Sequence, residues 1–382
     1  MSNLLDKASI ILTPTAYNNG EALCVKPSDG SGDFDFSRAT DGTRVNAQGL
    51  VETIGINLPR INYEGFSFDG SGNIVPDSGC GSWLFEPQST NLITYSEDFT
   101  QWAKVGTPTI TSNYSISPDG TQNSTRVEFD ANERIYFILS ASGDITFSVY
   151  LKGSGVITLR DNTNAHRQDV TLTSEWARYD LSFNATITSI QIQNQTASIV
   201  DLEIWGAMLE ENSYSTSLIP TSGSTVTRNQ DVCTNGGSLA TINSTESFVY
   251  AEIEALADDG TTRRLAISDG SNANRVLIGY NTPTNSIQFV IQSGGSTSVN
   301  QTFTLTDATQ FSKVAFKYKE NDCSFWIDGV KVGIDTTATM PIGLNQAIFA
   351  QGDIARPFYG KTKCLAVFPY LTDSELQSLT TI

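Results

Sequence analysis

Histidine is nearly missing from this 382-residue chain, with His166 its sole instance. A Ser/His/Asp or Cys/His nucleophile system needs a positioned imidazole, and a histidine-rich zinc site needs several. His166 lies in the polar stretch Asp161-Asn-Thr-Asn-Ala-His-Arg, which reads as a surface loop, so both chemistries are excluded. Cysteine is scarce as well. Cys24, Cys80, Cys233, Cys323 and Cys364 are odd in number, widely spaced and without a Cys-x-x-Cys pair. That is neither a disulfide framework nor a zinc site. They read as thiols of a protein made in a reducing compartment, with a Cys323–Cys364 bridge left open if their strands are neighbours.

Basic residues are few: 23 Lys and Arg against 41 Asp and Glu give a formal net charge of −18. No basic stripe is available for a phosphate backbone, so nucleic acid is excluded as a partner, and anionic lipid with it. No Gly-Lys-Ser/Thr follows the glycine-rich stretches, so none is a phosphate loop. Long apolar runs are absent too. Ile10 to Leu12 is too short for a signal-peptide core, and no later segment approaches the ~18 apolar residues of a membrane span. The expectation is a soluble chain that neither inserts in a membrane nor follows conventional export. Asn-x-Ser/Thr triplets at Asn113, Asn123, Asn184, Asn194, Asn243 and Asn300 are then by-products of composition rather than glycan acceptors.

What is present is turn chemistry and alternation. Hydrophobic content of 39% and aromatic content of 10% support globular cores, and Gly, Thr, Ser, Asn and Asp abound, as in turn-rich β proteins. Residues 1–90 read as an irregular arm that becomes ordered against a partner or the body of the protein. Pro27-Ser-Asp-Gly-Ser-Gly, Asp69-Gly-Ser-Gly-Asn and Pro76 to Gly81 are loops, and Arg44 to Ile54 forms a short hairpin. From Asn91 to Asp231 the pattern has period two: Ile145, Phe147, Val149 and Leu151 alternate with polar neighbours, as do Ile190 and Ile192, and Val200, Leu202 and Ile204. Such runs with almost no helical periodicity indicate an antiparallel sandwich or jelly roll.

Connectors rich in Ser, Thr and Gly, Pro220 to Thr227 and Cys233 to Thr245, precede a third region. There Val249, Ala251 and Ile253 alternate, then Ile287, Phe289 and Ile291, then Val314, Phe316 and Tyr318. Two further alternating runs meet at Asp328-Gly329, which tolerates the positive φ angles of a tight primed turn. At the end, Thr372 is placed to cap a helix, Glu375 to reach back to it, and Leu371 with Leu376 to form a hydrophobic staple. The fold class is therefore all-β: two antiparallel sandwich or jelly-roll domains (residues 91–232 and 246–382) after an N-terminal attachment arm (residues 1–90), closed by a short helix.

The hairpin Ser324 to Asp335, set among alternating strands and followed by a capped terminal helix, resembles a laminin-G-like (concanavalin A-like) sandwich. The central region is similar to a carbohydrate-binding-module-like jelly roll of phage structural proteins, on Asn91 to Trp102, Thr146 to Gly153, Glu175 to Asp180 and Asp201 to Glu210. Phe36 to Glu52, Leu84 to Asn91 and Ser217 to Asp231 also resemble tailed-phage virion proteins. The resemblance covers most of the chain, and its linear order is more specific than any one motif. It implies a virion-associated fibre or decoration protein, made in the host cytoplasm and often trimeric. Its arm would contact other virion proteins and its β-domains host surface glycans. No sugar-binding residue carries over from it.

The residues themselves offer a few candidates. Trp102, Trp176, Trp205 and Tyr136 lie in the central domain, where a flat ring can stack on a sugar, although tryptophan in a sandwich more often fills core or inter-domain space. Trp205 falls on the strand face opposite Val200 and Ile204, which points it away from the core. Trp326 has apolar neighbours on both faces, which favours burial or an interface. Asp29, Asp33 and Asp35 place acidic oxygens at close spacing in a loop, which suits calcium, although the later glutamate of a helix-loop-helix site is lacking. No other cofactor is called for. Paired carboxylates such as Glu203 with Glu252 could serve glycoside hydrolysis, but 41 acidic residues always supply some pair. The leading expectation is a non-enzymatic virion protein adhesive toward glycans; the alternative is a polysaccharide-active enzyme or its accessory module.

Overall fold

The structure is a computed structural model that describes residues 4–63, 66–68, 74–76 and 80–382. The loop expected at Asp69-Gly-Ser-Gly-Asn, and most of that at Pro76 to Gly81, lie outside the described residues. The regular structure of the described chain is almost entirely β-strand, with α-helices only at Leu4–Lys7 and Asp373–Thr380. No helix among the described residues is long and apolar enough to cross a membrane.

The central region folds as a jelly roll from a single eight-stranded sheet. Two long strands, Arg134–Ser154 and Ala177–Gln193, pair along almost their whole length, with a register shift between Ile138 and Ala141. Such an irregularity lets a strand turn a corner and pass from one layer to the other. Beyond the shift, Val200–Glu210 and Thr125–Phe129 continue the sheet; before it, Ala103–Val105, Val156–Asp161 and Arg167–Thr171 do. Ile145, Phe147, Val149, Leu151, Ile190 and Ile192 meet between the layers, each wholly buried.

The C-terminal sandwich packs a five-stranded sheet on an eleven-stranded one. Val249, Ala251, Phe316, Ile287 and Phe289 form its core, as their alternation predicts. At the turn joining Cys323–Ile327 to Val330–Asp335, Asp328 has φ 47° and Gly329 φ 82°, the pair of positive angles a primed turn requires. The final helix carries its capping box: Thr372 N–H donates to Glu375 Oε2 at 3.0 Å and Glu375 N–H to Thr372 Oγ1 at 3.3 Å. Leu371 and Leu376 are buried in one cluster beneath it.

The N-terminal segment is far more regular than its composition suggests. Ile10–Asn18 pairs on one side with Glu21–Lys26 and on the other with Gly360–Phe368, so it runs through the middle of the larger sheet. Its apolar run is explained by burial on both faces: Ile10 and Leu12 enter the sandwich core, and Ile11 packs under the terminal helix. Phe34–Ser37 extends the sheet and takes Val232–Thr234 as its outer neighbour. Of the two supports expected for the arm, partner or body, these strands use the body. The hairpin expected near Arg44 to Ile54 is present as Gly42–Val45 paired with Val51–Ile54.

The connectors are likewise stitched in. Ser89–Asn91, leading into the jelly roll, pairs with Val226–Arg228, leading out of it. Residues before and after the jelly roll thus build one sandwich, and the jelly roll is inserted between two adjacent strands of the chain. Sheet order also corrects one cysteine expectation. Cys323 and Cys364 lie on strands with Glu246–Ala255 and Ser312–Lys319 between them, three inter-strand steps of about 4.8 Å, beyond the ~7 Å a disulfide spans.

Candidate functional site

Burial decides two of the four aromatic candidates. Trp102 is 2% exposed, its ring packed on Phe99 and Phe137 and its Nε1–H donated to Tyr95 O at 3.2 Å. Trp205 does point away from the jelly-roll core, as its strand parity requires. That outer face is covered, however: the ring meets Tyr150 edge-on at 5.3 Å and packs with Val51 of the N-terminal hairpin, Leu218 and Ile219. At 2% exposure it has no face to offer a sugar. Both tryptophans are corrected to packing roles. Trp176 is half-buried at the rim of this same contact, bonded to Ile116 O at 3.0 Å with Lys152 Nζ 5.3 Å from its ring centre.

Tyr136 is different. It stands on the outer face of the other jelly-roll layer, half-exposed, and its hydroxyl makes no hydrogen bond among the described residues. Strand register places it in a row with Gln191, Arg160 and Arg167. The adjacent row holds Arg134, Gln193, Thr158 and Asp169. Arg160 donates through Nε and Nη2 to Gln191 Oε1 at 3.1 and 2.8 Å, and Gln191 Nε2 donates to Ser189 Oγ at 3.1 Å. Arg167 Nη1 bonds Gln195 Oε1 at 3.2 Å, while Arg134 Nε is buried with no partner. Burial lowers the Arg160 pKa, and Arg134 adds to this, with Asp161 opposing and Arg167 reinforcing. One phenol, three guanidiniums and the Asp169 carboxylate thus share a polar face with two amides that are themselves largely buried, Gln191 at 6% and Gln193 at 7% exposure. The sequence signal for it was present but split: Ser189, Gln191 and Gln193 were visible as the polar half of a strand, with nothing to say that Arg160 and Tyr136 flank them.

The proposed calcium loop does not assemble. Asp29 Oδ1 accepts from Ser31 Oγ at 2.6 Å, Asp33 Oδ1 from Cys24 N–H at 2.7 Å, and Asp35 Oδ2 from Asn235 Nδ2 at 2.6 Å. Each carboxylate faces its own donor, and among the described residues no group of three His, Cys, Asp or Glu could hold a metal ion. These residues do not fit a calcium site.

The acids named for hydrolysis are also apart. Glu203 belongs to the jelly roll and accepts from Lys152 at 3.0 Å and Ser124 at 2.9 Å, whereas Glu252 lies on the sandwich strand Glu246–Ala255. One other pair is pushed in opposite directions. Burial and then Asp119 raise the Glu97 pKa, while hydrogen bonds from Ser117, Thr121 and Asn123 overcome burial to lower that of Asp119. Asn123 Nδ2 donates to both, at 3.3 and 3.1 Å, so one amide bridges the two carboxylates. His166 stacks on Phe183 at 4.7 Å, and its ring makes no hydrogen bond among the described residues.

The segments around Arg38, Glu86 and Arg228, which carry part of the phage resemblance, have a clear physical role that sequence reading missed. Arg38 and Arg60 both bond Asp231, Arg60 and Arg228 both bond Glu86, and all five side chains are essentially buried. Ser217 adds its N–H and Oγ–H to Glu86, each at 2.7 Å. Burial would raise the Glu86 pKa, but Arg228, Arg60 and Ser217 outweigh it and hold it at about 2. This network ties the N-terminal segment to the strand leaving the jelly roll. A cavity of about 310 Å3 beside it is bounded by Tyr150, Arg178, Thr216 and Lys361.

With this geometry in view, comparison with known proteins is informative for one part of the chain. Residues 227–376 match the family model of the concanavalin A-like lectin/glucanases superfamily. That span is the C-terminal sandwich from the strand leaving the jelly roll to the terminal helix. No curated protein matches the chain. Among solved structures it is similar to the Ruminococcus gnavus IT-sialidase CBM40, with TM-score 0.32 and 15% identity over 38% of this chain and 93% of that one. It is also similar to domain 4 of AbnA, a GH43 extracellular arabinanase from Geobacillus stearothermophilus, in complex with arabinotriose (TM-score 0.32, 14% identity, 45% and 84% covered). A third is the mouse laminin alpha1 chain, domains LG4-5 (TM-score 0.26, 10% identity, 63% and 88% covered). None of these likenesses is close enough to carry a substrate or an activity across.

Proposed function

We propose that this chain is a non-enzymatic glycan-binding protein of a tailed-phage virion, and that the jelly-roll face around Tyr136 contacts the sugar. The observation that carries the binding role is the register row Tyr136–Gln191–Arg160–Arg167, an aromatic ring beside amide and guanidinium groups on a rigid sheet. A ring of that kind takes the apolar face of a sugar, and the fixed polar groups beside it set orientation. The virion assignment is supported by the resemblance of Phe36 to Glu52, Leu84 to Asn91 and Ser217 to Asp231 to tailed-phage proteins. Homotrimer formation is part of the same proposal, and many weak sites on one particle then add through avidity. Attachment to the particle falls to surfaces other than the strands of residues 10–37, which are bonded within the chain.

The test is binding of the full chain to host surface polysaccharide, wild type against Tyr136→Ala and Arg160→Ala. Loss of one stacked ring or one charged donor is expected to weaken binding roughly tenfold. Unchanged binding in both variants would refute this face as the site, and release of new reducing ends from the polysaccharide would refute the non-enzymatic reading. Light scattering in solution gives the copy number, and a monomer at micromolar concentration would refute the trimer.

A further inference from the structure

The strand parity that turns Trp205 away from the jelly-roll core turns the next rows of the same sheet outward as well. Arg126, Glu203 and Lys152 stand side by side on three neighbouring strands, Thr125–Phe129, Val200–Glu210 and Arg134–Ser154. Glu128, Asp201 and Ser154 form the following row. Val127, Leu202 and Leu151, which alternate with them, point into the core. These rows border an open cavity of about 250 Å3, whose wall includes Tyr114, Arg126, Lys152, Ser154, Asp201 and Glu203.

The charges around this cavity are matched to one another. Arg126 grips Asp201 through Nε at 2.9 Å and Nη2 at 2.7 Å, and Nη2 also meets Glu128 Oε1 at 3.0 Å. Lys152 Nζ bonds Glu203 Oε1 at 3.0 Å. Ser124 Oγ donates to Glu203 Oε2 at 2.9 Å, and Ser115 Oγ donates to the same oxygen. Each cation therefore has its carboxylate, and an ionic ligand would have to displace one of them. What stays open is acceptor capacity. An ionised carboxylate offers about four lone-pair sites, and Arg126 takes one on each oxygen of Asp201.

Each cation also carries an aromatic ring. Arg126 Cζ lies 5.2 Å from the centre of the Tyr114 ring, and Lys152 Nζ lies 5.3 Å from that of Trp176. Arg126 and Lys152 are two strands apart, about 10 Å, so the rings are anchored at opposite ends of one row. Both are held in place. Tyr114 N–H donates to Ser124 O at 2.8 Å, and Trp176 Nε1–H to Ile116 O at 3.0 Å. Tyr114 is 45% exposed, and Trp176 is the half-exposed tryptophan of a chain whose other four are almost wholly buried.

We propose that this cavity is a second carbohydrate site, one that takes uncharged sugar residues of an oligosaccharide. The two rings cover apolar sugar faces, while Asp201, Glu203 and Ser154 bond the hydroxyl groups between them. Pairing within the wall sets the specificity: a charged sugar must compete with a two-pronged guanidinium–carboxylate contact, whereas a hydroxyl uses lone pairs that the contact leaves free. The site rests on the glycan-binding reading given above but not on the Tyr136 face, which lies on the other layer. Two such sites let one domain hold glycan on both sides, and their contributions combine through avidity.

Trp176 supplies a local readout, because Trp83, Trp102, Trp205 and Trp326 are at most 4% exposed and shielded from a collisional quencher. The full chain is titrated with oligosaccharides released from host surface polysaccharide and split by anion exchange into neutral and acidic fractions. Binding heat and acrylamide quenching of tryptophan emission are read together. The neutral fraction is expected to bind and to protect the emission from quenching. Tyr114→Ala, which removes an exposed ring, weakens that protection about tenfold. Trp176→Phe keeps a ring but removes the reporter, so the heat remains and the quenching change is lost. Lys319→Ala, whose pair with Glu246 lies on the sandwich, behaves as wild type. Binding heat without any change in quenching, or a quenching change that survives in Trp176→Phe, would overturn this site and leave the Tyr136 face standing. Protection by the acidic fraction alone would overturn the uncharged assignment, and no binding of either fraction would overturn both sites.

Discussion

Asp231 shows how much one residue can decide. It accepts from Arg38 at 3.0 Å, from Arg60, and from Glu86 N–H at 2.8 Å, with its side chain wholly out of water. Asp231→Ala leaves two buried guanidiniums short of a counter-charge, and breaking such a pair costs about 3–5 kcal/mol. Urea unfolding checks it against Arg126→Ala, whose pair with Asp201 is exposed, screened by water and expected to contribute little. Equal losses in the two variants would show that burial is not what matters. Trp205→Ala is expected to cost about 3–5 kcal/mol by emptying a filled contact, whereas Tyr136→Ala stays within about 0.5 kcal/mol of wild type. A reversed order would place the wrong ring in the core.

At the scale of elements, the terminal helix depends on its first turn. Thr372→Ala removes the hydroxyl that accepts from Glu375 N–H and should cost about 1 kcal/mol in thermal or chemical unfolding. The Asp328-Gly329 turn is a sharper case. Gly329→Val forces a β-branched residue to φ 82°, with its Cβ 3.0 Å from Thr381 Oγ1, so about 1–3 kcal/mol is expected. A neutral result would mean the turn relaxes to another type. Both features were legible in sequence because each depends on residues within a few positions of one another. The face around Tyr136 was not, since Arg160 and Gln191 come together only through strand pairing.

For the whole molecule, the insertion of the jelly roll into the sandwich has consequences. Removing residues 4–18 deletes a strand from the middle of the larger sheet, exposing Leu365 and Val367 neighbours on Gly360–Phe368. The C-terminal sandwich is expected to lose cooperative unfolding, although residues 227–376 alone match its family model. A truncated chain that still melts in one sharp transition would refute this. Acid sensitivity follows from the same network. Glu86 is held at about 2, below the 4.5 of a free glutamate, so its stabilisation is complete above pH 4.5 and is lost as pH falls toward 2. The melting temperature should therefore hold from pH 7 to about pH 5 and then decline; a decline that begins above pH 6 would point to other groups.

The amino-acid order by itself determined strand parity, the primed turn, the capped helix and the cores of both sandwiches, because each is set by alternation or by contacts close in sequence. Ile145 to Leu151 and Ile190 to Ile192 fill the jelly-roll core as their spacing requires. Tertiary structure alone decided which outer faces remain open. Trp205 points outward as its parity dictates, yet the hairpin of residues 42–54 covers it, while Tyr136 on the other layer stays uncovered. Tertiary structure also decided that Ile10 to Leu12 is a central strand, since its partner on Gly360–Phe368 lies some 350 residues away. Period two says which side a residue faces; what lies against that side depends on segments distant in the chain.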